Sequence, residues 1–164
     1  MIIIGIDPGT RVTGYGIIHF DGVTFNAIDY GCIRPPPTLK LSDRYLIIYD
    51  SLTELLNKYQ PQIAVLETQF VSPLNPQTGI KLGMARGAAI IAARKKNISI
   101  YEYSPTQVKL ASVGYGHASK YQVQAMVQSQ FKLGKIPPSD AADALALTLC
   151  YIYSYKNKQV FVEL

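Results

Sequence analysis

Ile2-Ile3-Ile4-Gly5-Ile6-Asp7-Pro8-Gly9-Thr10 sets four isoleucines within five positions and then turns. A β-branched run closed by Asp-Pro-Gly reads as a buried strand. It delivers a carboxylate, Asp7, at its end. Outward from it, Val12–Phe20 and Val23–Ile33 are strand-like runs split by Asp21-Gly22, a hairpin signal. The three together predict an antiparallel meander. Pro35-Pro36-Pro37 ends it, because proline has no N–H for a ladder.

Helices and strands then alternate. Apolar residues at Leu41, Tyr45, Ile48, Leu52, Leu55 and Leu56 predict a helix over Leu41–Tyr59, stopped before Pro61. Gln62–Glu67 reads as a short buried strand, and Ile98–Tyr103 as a fifth. Between them, Pro76–Lys96 predicts a helix that is small and apolar through Gly87–Ala93, so it is buried on more than one face or packed on a partner. Shorter helices follow at Pro105–Ser112 and Lys120–Phe131, separated by Gly114-Tyr115-Gly116, and Pro137-Pro138-Ser139 opens a last helix of Ala and Leu. The order predicts one α/β domain on a mixed sheet, over residues 1–155, with 156–164 as a short C-terminal tail.

The 164 residues are enough for one core, and 48% hydrophobic with 16% charged residues excludes a disordered chain. No apolar run nears the ~18 residues of a membrane span. The N-terminus lacks a basic region before its apolar run, and Cys32 and Cys150 form no metal-finger or disulfide pattern. The expectation is a cytoplasmic protein with no membrane association. Net charge is +5, unevenly spread. Residues 81–135 hold nine Lys/Arg against the single acid Glu102, while residues 1–80 hold five against seven acids. Such a stripe fits either a phosphate-backbone binder or a solvated helical face.

Asp7 and Glu67 both end hydrophobic strands, where a charge is costly unless solvated, hydrogen-bonded or bound to a cation. Asp140 and Asp143 stand one helical turn apart at the start of the last helix. Each has a plain reading too: Asp7 as a turn former, the helix acids as first-turn residues favoured by the dipole. If all four converge, an all-oxygen set suits Mg²⁺ or Mn²⁺ rather than zinc or copper. Two such ions can clamp the attacking and leaving oxygens of a phosphodiester.

Five segments, in order, carry a resemblance. They are Gly5-Ile6-Asp7-Pro8-Gly9-Thr10-Arg11-Val12-Thr13-Gly14-Tyr15-Gly16; Leu66-Glu67; Lys81-Leu82-Gly83-Met84-Ala85-Arg86-Gly87; Gly114-Tyr115-Gly116-His117-Ala118-Ser119-Lys120 with Gln122-Val123-Gln124; and Asp140-Ala141-Ala142-Asp143-Ala144-Leu145-Ala146. From about residue 2 to 150 the chain resembles the RuvC family of Holliday-junction resolvases. That resemblance implies an RNase H-like fold, a five-stranded mixed sheet flanked by helices. It implies a homodimer that makes paired nicks across four-way junction DNA, leaving 5′-phosphate and 3′-hydroxyl ends, with RuvA and RuvB branch-migration proteins as partners. The family's catalytic and metal-binding acids fall on Asp7, Glu67, Asp140 and Asp143, with two Mg²⁺ expected and Mn²⁺ as a substitute. DNA-binding positions fall on Lys109, Lys120 and Phe70, and more loosely on Lys81 and Arg86. Phe70 reads equally as a loop hydrophobe in the core or at a dimer seam. Departures from the family pattern, two prolines in Val71–Pro76, Met84 for a common Gln and Gly79 for a common Ala, leave the acids intact and bear on loop shape and cleavage-sequence preference.

Two other classes fit parts of the pattern. Asp7-Pro8-Gly9-Thr10 after a strand also resembles the phosphate loop of actin- and sugar-kinase-like ATPases, which need two such domains where this chain has room for one. A non-catalytic junction-binding module would keep the fold, but clustered acids repel phosphate and bring it nothing.

Overall fold

The isoleucine run is the spine of the sheet. It forms β1 (Ile2–Asp7), and its neighbours on the two sides differ in direction. On one side β2 (Thr13–Phe20) pairs antiparallel with it, and β3 (Phe25–Ile33) antiparallel with β2, which is the expected meander. On the other, β4 (Ile63–Glu67) is parallel to β1, and β5 (Ser99–Tyr103) parallel to β4, giving the order β3-β2-β1-β4-β5. Parallel neighbours need crossovers, supplied by α1 (Leu41–Tyr59) and α2 (Pro76–Arg94). Three helices follow: α3 (Pro105–Val113), α4 (Lys120–Gln130) and α5 (Ser139–Lys156). The computed structural model describes residues 1–69, 74–157 and 163–164. Each expected element is present, with ends within two residues of the sequence reading.

Alternation along the strands makes two cores. Ile4, Ile6, Ala64, Leu66 and Ile100 point to α1 and α2, packing on Ile48, Leu52 and the α2 alanines. Ile3, Ile18, Phe20 and Val65 point the other way, onto α3, α4 and above all α5. At the β2–β3 hairpin, the Asp21 carboxylate accepts from the Val23 and Thr24 amides at 2.8 and 2.6 Å, with Gly22 at φ +100°. The end of the chain returns to the edge of the sheet, where the Leu164 amide donates to the Ile100 carbonyl at 2.9 Å.

Candidate active site

The same alternation places two of the acids. On β1, Ile3, Gly5 and Asp7 share one face; on β4, Ile63, Val65 and Glu67 do. The parallel register pairs Ile6 with Leu66, so Asp7 and Glu67 end adjacent strands on the same side of the sheet. That side carries α5.

Glycine lets α5 come close enough to matter. A Cβ on Gly5 would overlap the Ala144 carbonyl, and one on Gly14 the Asp140 carbonyl. With no side chains there, the first two turns of α5 lie directly on β1 and β2, bringing Asp140 and Asp143 to the strand ends. Two further helices close the space. Ser104 and Ser119 each form a capping box, with Gln107 and Gln122 respectively. These caps start α3 and α4 at fixed points, setting Lys120 in the first position of α4 and Lys109 in the second turn of α3.

Asp7, Glu67 and Asp143 line one cleft of about 310 Å³ with Lys109 and Lys120; Val108, Val123 and Leu147 form its apolar wall. Burial, then the Asp143, Glu67 and Asp140 carboxylates, push the Asp7 carboxyl up to about 7, against the pull of Lys120. Glu67 is raised by burial and by Asp143, and lowered less by Lys109. Asp143 is raised by burial and Asp140, opposed by Lys120 and Lys109. These are carboxylates crowded together with too little counter-charge. Among the described residues no three His, Cys, Asp or Glu side chains form a ready-made cage. The donors instead line an open cleft with no sulfur or imidazole, and that chemistry fits hard divalent cations.

The structure separates some residues that the sequence grouped. Asp140 is near enough to raise Asp7 and Asp143, but it lines the adjoining cleft between the β1–β2 turn and the starts of α1 and α2. Lys81 lies in that second cleft too, beside Arg11 and Arg44. Arg86 is ion-paired with Glu102 on β5, so its charge is engaged within the fold. The basic segment is not one stripe. Arg94, Lys95 and Lys96 lie at the end of α2 that leads into the start of β5, at the opposite end of the strands from the acids. Of the basic residues in 81–135, Lys109 and Lys120 are the two that line the acid cleft. Phe70 lies outside the described residues. Arg44 escaped the sequence reading, although a signal exists: four residues before Ile48 and eight before Leu52, it is a charge on a buried stripe.

Comparison with known proteins agrees with this geometry. The family model for the crossover junction endodeoxyribonuclease RuvC matches residues 3–151. A protein of that name from Protochlamydia amoebophila is 55% identical over 152 residues, 92% of this chain and 90% of the relative. Another, from Ruminiclostridium cellulolyticum, is 45% identical over 95% of this chain and 94% of its own length. Among solved structures, Thermus thermophilus RuvC in complex with Holliday junction substrate superposes with a TM-score of 0.90 at 31% identity, over 100% of this chain and 99% of that one. The shared architecture is the RNase H-like fold. With sequence and fold matched over nearly the whole length, the chain belongs to the RuvC family of crossover junction endodeoxyribonucleases.

Proposed function

We propose that this chain is a divalent-metal-dependent endonuclease that resolves four-way DNA junctions by paired nicks, leaving 5′-phosphate and 3′-hydroxyl ends, in homologous recombination and DNA repair. The carrying observation is that Asp7, Glu67 and Asp143, from three distant parts of the chain, meet in one cleft with Lys109 and Lys120. The junction-bound Thermus relative supports four-way DNA as the substrate.

Asp7, Glu67, Asp140 and Asp143 would hold two Mg²⁺ ions, with Mn²⁺ able to replace them. Bound there, the ions supply Lewis acidity to the phosphodiester and an activated water. The protein's own contribution is positional. Half-buried carboxylates that are costly when bare are matched to cations, so binding offsets the burial and the repulsion that raise Asp7. Lys109 and Lys120 face the same cleft and stabilise the charge that builds on the phosphate oxygens in the transition state. Val108, Val123 and Leu147 keep one wall apolar, which strengthens those interactions.

Paired cutting needs two sites. Helix α2 turns Ala85, Ala89, Ala92 and Ala93 inward. On its other face Ile80, Met84 and Ile91 are 63, 55 and 55% exposed, and added Cβ atoms on Gly83 and Gly87 would meet nothing. Such a stripe is suited to the same stripe on a second copy across a two-fold axis. RuvA and RuvB are the expected branch-migration partners, and no described helix is long and apolar enough to cross a membrane. Incubating the protein with a mobile four-way junction, with Mg²⁺ or EDTA and beside Asp7→Asn, tests the reading. Paired, ligatable nicks requiring both Mg²⁺ and Asp7 are expected; binding without cutting in Mg²⁺ and in Mn²⁺ would leave a junction-binding module.

A further inference from the structure

The β1–β2 turn and the starts of α1 and α2 enclose the second cleft, of about 570 Å³, and its lining residue Asp140 is near enough to the acid cleft to raise Asp7 and Asp143. Arg44 is its unusual wall. The residue is 8% exposed, yet the ion pair found among the described residues joins Arg86 to Glu102, not Arg44 to an acid. One Nη of Arg44 donates to the Thr10 carbonyl, and its Nε has no partner. A buried guanidinium with a spare N–H and no counter-ion is costly unless an anion completes it. Exposed Arg11 and Lys81 line the same cleft, and Asp140 is the single acid on its described lining. The cleft also meets two long helices at their positive ends. Leu41 opens α1, whose N-cap Lys40 makes no side-chain cap bond, and Thr78 lies in the first turn of α2.

We infer that this cleft holds a backbone phosphate of the cut strand, a neighbour of the scissile one, and so sets the strand's register over the acids. Arg44 supplies the fixed fork, Arg11 and Lys81 close over it, and contact to phosphate alone makes the grip independent of base sequence. The inference takes from the nuclease reading only that the anion is a nucleic-acid phosphate.

Junction binding measured without metal, in EDTA over a salt series, tests it apart from cutting. Arg11→Ala/Lys81→Ala should bind more weakly, with a log–log salt slope shallower by about one. Lys95→Ala/Lys96→Ala removes the same charge at the opposite end of the strands and should keep the wild-type slope. Both replace exposed side chains, and the single variants Arg11→Ala and Lys81→Ala serve if the double variant unfolds early. Methylphosphonates placed one at a time around the cut site should weaken wild-type binding at one position where the Arg11→Ala/Lys81→Ala protein is indifferent. A slope unchanged in that protein, or lowered equally in both pairs, or methylphosphonate penalties equal in variant and wild type, would overturn the inference. Failure of wild type to cut would count against the nuclease reading and leave this one standing.

Discussion

Helices α2 and α5 are nearly the same length, 19 and 18 residues, and both are rich in alanine and aliphatic side chains. Their surroundings differ sharply. α5 buries twelve of its residues, among them Leu145, Leu149 and Ile152, against the sheet on one side and α3 and α4 on the other. α2 buries four alanines and leaves Ile80, Met84 and Ile91 in the open. A helix apolar all round must be covered all round. Here α5 is covered by its own domain, and α2 is half-covered, with its other face open. Composition alone does not tell the two apart; the strand glycines beneath α5, and the open space around α2's own Gly83 and Gly87, do.

Glycine also gives the largest test of the contrast. Gly14→Ala puts a methyl group into the Asp140 backbone where α5 crosses β2. Neither partner is a flexible tip, so α5 must lift, and we expect a loss of about 3 kcal/mol or more in thermal unfolding. Gly83→Ala, on the open face of α2, meets nothing within contact distance. It should leave the monomer unchanged or stabilise it by up to about 1 kcal/mol through helix propensity. Equal effects at the two positions would mean that α5 is no more tightly seated than α2.

That contrast also marks what was legible in the sequence. Periodicity is a local property, so β1 through α5 could be read from it, down to the end of α1 at Tyr59. The acids were legible because each sits where a pattern ends: Asp7 and Glu67 close apolar strands, and Asp140 and Asp143 open a helix. What the sequence concealed depends on pairings across the fold. Charge counting along residues 81–135 made one stripe of side chains that the topology scatters. Lys109 and Lys120 go to the acid cleft, Lys81 to its neighbour, Arg86 to Glu102, and Lys95 over the Tyr49 ring. Arg44 was hidden for the converse reason, since its role comes from Thr10, thirty-four residues earlier.

A smaller effect separates the acid cleft under α5 from α2 by pH. The Asp7 carboxyl is raised from 3.8 to about 7, mainly by burial and then by its acidic neighbours. Between those values the folded chain holds a proton that the unfolded chain has released. The stability tied to that proton is full below pH 3.8 and disappears as pH rises through about 7. From pH 5 to 8, metal-free wild type should therefore lose about 3 kcal/mol relative to Asp7→Asn, which carries no such proton. Glu67 and Asp143 are raised in the same direction and add to the slope that both proteins share. Urea unfolding at three pH values measures it, and parallel profiles for the two proteins would show that burial and the acidic neighbours do not hold the Asp7 carboxyl up.

The smallest expected effect addresses the uncovered side of α2. In a two-fold contact every substitution occurs twice. Met84→Ser removes an apolar side chain that is 55% exposed in the monomer, so monomer stability should hardly change. If that side chain is covered by its symmetry mate, dimer affinity falls by about 2 kcal/mol, roughly thirtyfold, as read by sedimentation equilibrium. The functional consequence is distinctive. The acid cleft lies on the α3–α5 side of the sheet and α2 packs on the other, so loss of the dimer does not touch Asp7, Glu67 or Asp143. Dilution below the weakened dissociation constant should then turn paired nicks into single ones while the chemistry at each strand persists. A variant that stays dimeric and keeps its nicks paired would mean that the open face of α2 serves some other contact, and that the two apolar helices differ for another reason.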